Sequence, residues 1–169
     1  GIPAWIPFWQ MAANKKGELN PAFFQHKPTI GFHVRVSENL YLNDDFRKLI
    51  YDTIRNSKVG EKKYVYSDLS FHIYPEIIAK LTGEDYEDYL KKTFYRPLGA
   101  FTVTYNPYLQ FTLNRIIPTE IDNLFRKQTI RGFVHDEGAA MLGGVSGNAG
   151  LFGSANDLAK IFQMYLQKG

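Results

Sequence analysis

The strongest pattern along the chain is helical. In "NDDFRKLIYDTIRNSKVG" apolar residues recur at three- and four-residue spacing, which predicts a helix over about residues 44–57. Asn43 is placed to cap it, acids fill its first turn, Arg55 and Lys58 lie near its end, and Gly60 follows. In "SDLSFHIYPEIIAKLTG", Leu69, Ile73, Ile77, Ile78 and Leu81 make one face of a second helix over about 68–82. Pro75 falls inside it, and its ring and missing N–H should kink the helix or delay its true start. A third helix is expected over about 84–95, ended by Pro97 and Gly99. A last helix follows Ser154, with Asp157 completing an acidic relative of the capping box and Gly169 beyond the end.

Strand patterns are weaker. "GFHVRVS" alternates and suits a short strand, while "FTVTYNP" and "LNRIIPTE" read as short extended pieces. The rest of residues 1–42 is irregular, and "GAAMLGGVSGNAGLFG" is a glycine-rich loop. There is no tandem repeat or long linker. The fold class expected is mainly α with short β pieces, and a full sheet is hard to build from them.

The chain has 169 residues, enough for one domain with a real core. Thirteen Phe and eleven Tyr suit a well-filled interior and a sugar- or peptide-facing cleft. Lys and Arg are scattered with a net charge of only +3, so no nucleic-acid partner is expected. There is no Cys, which excludes disulfides, thiol nucleophiles and thiolate metal sites. No run approaches the ~18 apolar residues of a membrane span. The opening "GIPAWIPFW" carries two prolines and no basic stretch, and it reads as the interior of something longer.

Chemistry-bearing motifs are incomplete. The serines are Ser37, Ser57, Ser67, Ser70, Ser146 and Ser154, and none has Lys three residues later. "GVSGN" around Ser146 approaches a nucleophile elbow, but Asn148 replaces the second glycine and no clear strand precedes it. Gly144, Gly147, Gly150 and Gly153 lead into a helix without a phosphate-loop signature. A close-packed loop needing small residues, lining a cleft, is the better reading. His26, His33 and His72 stand alone and suit core or surface positions. His135-Asp136-Glu137 lacks a further ligand at metal spacing, so hydrogen bonding that fixes the loop is expected, with no metal and no cofactor.

Tyr66 and Asp68 are the remaining candidates. In extended backbone residues i and i+2 point the same way, so both side chains can enter one cleft at the mouth of the second helix. The plain alternative is that Asp68 or Ser67 caps that helix.

Three segments bear a family likeness: "GIPAWIPFW", "YVYSDLSFHIYPEIIAKLTG" and "VHDEGAAMLGGVSGNAGLFGSANDLAKIFQMYL". Together they resemble serine hydrolases of the class C β-lactamase and penicillin-binding-protein superfamily. The nearest likeness is to the β-lactamase-like domain fused to family 3 β-N-acetylglucosaminidases. The resemblance covers most of the chain, with residues 10–60 least matched. It implies that residues 1–169 are a single partial domain, the helical lobe of the β-lactamase/transpeptidase-like α/β fold, lacking the main sheet. In that superfamily a Ser-x-x-Lys serine attacks an acyl group, a Tyr-x-Asn tyrosine helps proton transfer, and a Lys/His-Thr/Ser-Gly strand lines the other wall. The likeness puts Tyr66 at the tyrosine position and Asp68 where Asn is usual. It implies that Tyr66 is the general base/acid, that Asp68 pairs with the family lysine, and that His135, Gly147 and Asn148 shape the substrate cleft.

The implied partners are the missing α/β lobe and a cell-wall or acyl substrate, in the cell envelope or periplasm. Alone the chain is expected to be inert, because a phenol of pKa near 10 needs cationic neighbours to act as a base and a carboxylate at 68 works against that. Asp68 cannot donate to a substrate carbonyl as Asn does, which counts against β-lactam hydrolysis and leaves amidase, esterase or transpeptidase chemistry open. The rival expectation is a non-catalytic peptidoglycan-binding module on the same scaffold. A free-standing small helical enzyme is a third.

Overall fold

A computed structural model describes residues 1–169. Its first element is a short helix, α1 (Phe8–Met11), inside the segment expected to be irregular. Strands β1 (Phe24–Gln25), β2 (Val34–Ser37) and β3 (Leu40–Leu42) follow and form an antiparallel sheet in the order β1-β3-β2. β2 is the strand expected from "GFHVRVS". It pairs with β3 through a tight turn at Glu38 and Asn39, and a bulge at Val36 lets both Val36 and Ser37 face inward.

Helix α2 (Phe46–Arg55) buries Phe46, Ile50, Tyr51 and Ile54, the single apolar face its pattern requires. It begins later than its acids suggested. Asn43 Oδ1 accepts from the Asp45 amide at 3.0 Å in a turn just outside the helix. The second predicted helix is two pieces, α3 (Leu69–His72) and α4 (Tyr74–Thr82), broken at Ile73 with Pro75 in the first turn of α4. The break corrects the predicted single face. Leu69 enters the core, whereas Ile77 and Leu81 stay 43% and 78% exposed on α4.

Helix α5 (Tyr86–Leu90) starts at its Asp85 cap and runs into a π-helical turn, Lys91–Tyr95. "FTVTYNP" is not a strand. Only Thr104 bridges, to Phe152, before Asn106 turns into left-handed backbone at φ 43° ahead of Pro107. "LNRIIPTE" divides into a tight turn at Leu113–Arg115 and strand β4 (Pro118–Asp122). β4 makes a hairpin with β5 (Gln128–Arg131), whose polar residues bury only Ile130. Helix α6 (Glu137–Met141) and the expected closing helix α7 (Ala155–Leu166) complete the chain. Ser154 caps α7 as its sequence position implied, accepting from the Asp157 amide at 3.3 Å.

Helices outnumber strands and both sheets are small, in keeping with the mainly helical expectation. The core lies between α1, the first sheet, α2, α3 and α6, around Phe8, Phe24, Leu42, Phe46, Leu69 and Met141. Trp9 stacks on Phe125 at 5.6 Å and ties the hairpin end to α1. By contrast α7 keeps Leu158, Phe162, Tyr165 and Leu166 exposed. No helix is long and apolar enough to cross a membrane.

Candidate active site

The segment carrying Tyr66 and Asp68 is stitched to the start of the chain. Ser67 Oγ donates to the Pro3 carbonyl at 2.6 Å, and the Asp68 amide donates to the Ala4 carbonyl at 3.1 Å. Ser67 Oγ also accepts from the Leu69 amide at 3.2 Å. The capping work at α3 therefore belongs to Ser67, and the Asp68 side chain makes no cap bond. Asp68 is left half-buried, lining a chamber of about 40 Å³ with Trp5, Phe8, His72 and Asp136. Tyr66 is 63% exposed. The Asp68 charge is the main influence on its phenol and pushes the pKa up from the ordinary 10.0.

His72 is not solitary. It is buried in α3, with Nδ1 3.0 Å from Ser146 Oγ and its ring edge-on to Phe8. Ser146 Oγ in turn donates to Asn148 Oδ1 at 2.7 Å. A serine hydroxyl on a histidine with carboxylates nearby has the composition of a nucleophilic triad. Two features exclude that role here. Ser146 is only 1% exposed, and its proton is already committed to Asn148. The glycine loop is the close-packed element the sequence suggested. A Cβ on Gly147 would overlap the Phe71 carbonyl, and Gly144 and Gly150 need positive φ while Gly147 does not.

His135 and Asn148 line a different space, a cleft of about 580 Å³ shared with Val103, Thr119, Ala149, Leu151 and Leu158. Gly147 is seated on α3 beside it rather than in its lining. His135 is exposed, and its backbone is held from below. Arg126 is buried and donates to the carbonyls of Val134 and His135, each at 2.6 Å, to Glu120 at 2.6 Å and to Asp122 at 2.8 Å. Burial opposes the charge on Asp122, but hydrogen bonds from Arg126 and from the Arg126, Phe125 and Leu124 amides outweigh it and lower its pKa. Asp136 Oδ1 caps α6 by accepting from the Ala139 amide at 2.6 Å, so the His135-Asp136-Glu137 cluster fixes its loop. No grouping of three or more His, Asp or Glu side chains could hold a metal ion.

The structure thus places Tyr66 and Asp68 on one side and His135 and Asn148 on the other. The His72–Ser146–Asn148 chain joins them. Phe8, Asp68 and His72, and Asp136 and Glu137 come from the three segments that carried the likeness, and they line one small chamber. A family model named Beta-lactamase matches residues 21–169. The chain belongs to the β-lactamase family. It is 35% identical over 119 residues to a protein of Escherichia coli strain K12 named "Putative D-alanyl-D-alanine carboxypeptidase". A protein of the same name from Salmonella paratyphi B is 37% identical over 119 residues. These alignments cover 63% of this chain and 27% and 28% of the two relatives, so the chain spans little more than a quarter of either β-lactamase-family relative. No solved structure matches the chain.

Sequence reasoning missed the pairing of His72 with Ser146, and it missed Arg126. His72 and Ser146 are separated by 74 residues, and the incomplete elbow around Ser146 does not point to His72. Arg126 had one legible signal, an acid four residues before it, which is common on any surface.

Proposed function

We propose that residues 1–169 form the helical lobe of a serine hydrolase that acts on cell-wall peptides or related acyl compounds by an acyl-enzyme route. The Ser-x-x-Lys nucleophile and the opposite strand belong to an α/β lobe, in a cell-envelope protein of the kind fused to a family 3 glycoside hydrolase. The serine Oγ adds to the acyl carbonyl and gives up its proton, the leaving group takes a proton as its bond breaks, and water then hydrolyses the acyl-enzyme. Tyr66 is the group that carries the proton in both directions. Asp68 orients the lysine, and His135, Gly147 and Asn148 shape the cleft.

The observation that supports this reading is the exposed Tyr66 phenol beside Asp68, on a segment fastened to the residues after Gly1. A lysine ammonium brought against Asp68 cancels its charge and removes the main influence that makes tyrosinate hard to form. In the protein that supplies the Ser-x-x-Lys segment, Tyr66→Phe should slow acyl transfer by at least about 10²-fold. Unchanged turnover defeats the assignment.

The raised phenol of Tyr66 favours a second reading, a peptidoglycan-binding module without chemistry. A penicillin or fluorophosphonate probe separates the two. Labelling of the parent protein but not of this chain supports the hydrolase, and a parent with no Ser-x-x-Lys upstream supports the binder.

A further inference from the structure

We propose that His72, carrying its proton on Nδ1, is a positioning residue that fixes the Asn148 side chain in the cleft relative to Asp68. The order of the hydrogen bonds follows from valence. Asn148 Oδ1 can only accept, so the 2.7 Å contact uses the Ser146 hydroxyl proton. Ser146 Oγ then has only lone pairs to offer His72 Nδ1 at 3.0 Å, and the ring nitrogen must be the donor. The chain runs His72 to Ser146 to Asn148.

The first two members of this chain are buried, and Asn148 is half-buried at its end. His72 and Ser146 are 3% and 1% exposed. Gly147 rests against the Phe71 backbone, so the loop cannot move without the helix. Asp68 sits on the same turn, and its backbone carbonyl accepts from the His72 amide at 3.2 Å. The far side of the ring faces the chamber lined by Asp68, Asp136 and Glu137. A Cβ on Gly138 would stand 3.1 Å from His72 Nε2 and 3.4 Å from Asp136 Oδ1. Burial lowers the imidazole pKa from 6.5, with Asp136, Asp68 and Asn148 pulling the other way, which fits a ring holding one proton at neutral pH. One histidine therefore links the acid of the Tyr66 segment to the amide of the glycine loop.

The catalytic consequence rests on the proposed roles of Asp68 and Asn148, whereas the bond order can be read on this chain directly. Nitrogen-15 NMR at neutral pH should show a protonated Nδ1 and a bare Nε2 on His72. The opposite tautomer overturns the proposal. His72→Asn keeps a donor near Nδ1 and should leave the Asn148 side-chain amide signals in place. His72→Gln puts its amide near Nε2 and should shift them, and equal displacement by both variants counts against the proposal. Should either histidine variant not fold, Ser146→Ala decides together with the tautomer. It removes one oxygen and should shift both the Asn148 side-chain amide and the Asp68 amide signals, and an unmoved Asn148 sinks the idea. Failure of Tyr66→Phe to slow acyl transfer would remove the proposed function and leave these signals unchanged.

Discussion

The Asp68 carboxylate holds the Tyr66 phenol above its ordinary pKa of 10.0, and the phenol stands in solvent while this happens. The charge two residues away makes tyrosinate harder to form, the opposite of what a base requires.

Replacing the carboxylate tests that electrostatic link. Asp68→Asn keeps the shape and removes the charge, so the Tyr66 pKa should fall back toward 10.0. Spectrophotometric titration of tyrosinate can follow it, with Tyr66→Phe identifying the transition among eleven tyrosines. An unshifted titration would mean that the two side chains do not sense each other.

Arg126 anchors the approach to His135. Its removal leaves the Asp122 carboxylate buried and strands two backbone carbonyls. Arg126→Met should lower unfolding free energy by about 3–5 kcal/mol, read by urea denaturation. Adding Asp122→Asn should recover part of that loss, because the unpaired charge is then gone while an amide oxygen can still accept from the Leu124 and Phe125 amides.

Part of the acid sensitivity should trace to Asp157. Lys160, with the amide and hydroxyl of Thr102, holds its carboxyl at about 2 against an ordinary 3.8. A carboxyl depressed by folding stabilises fully above its ordinary value and loses that contribution as pH falls through the folded value. Thermal melts should therefore show Tm dropping from about pH 4 to pH 2, and Asp157→Asn should flatten that drop while lowering Tm at neutral pH.

The seat of the glycine loop leaves no room for a methyl group. Gly147→Ala should destabilise the fold by about 1–3 kcal/mol, since the new Cβ meets the Phe71 backbone rather than a movable side chain. Gly31→Ala makes a useful contrast. It has open space but a φ of 79°, so its penalty of about 1 kcal/mol is purely conformational.

Local signals in the sequence carried the helices well. The α2 face, the Ser154 cap and the interruption at Pro75 depend on neighbours within a turn or two, and such neighbours are visible in the chain. The hairpin β4–β5 was not visible, because Gln128, Thr129 and Arg131 surround a single buried Ile130 and give no alternation to detect. The α4 face misled for a different reason. Periodicity shows that Ile77 and Leu81 share a side, not that anything packs there. At the site, Tyr66, Asp68, His135, Gly147 and Asn148 could be singled out as residues. Their connection through His72 and Ser146 could not, since hydrogen bonds between distant segments leave no spacing rule behind.

The two bonds that gather the site span long stretches of chain, 64 residues from Ser67 to Pro3 and 74 from His72 to Ser146. Closing such loops is entropically unfavourable until many contacts form together, so these contacts belong to the slow end of folding. During synthesis the Ser67 to Pro3 closure is the first of the two that the emerging chain can make. The imidazole then waits, unpartnered, until the glycine loop emerges from the ribosome. A nascent chain stalled before Ser146 would have much of its hydrophobic core but a buried imidazole on α3 without its hydroxyl partner.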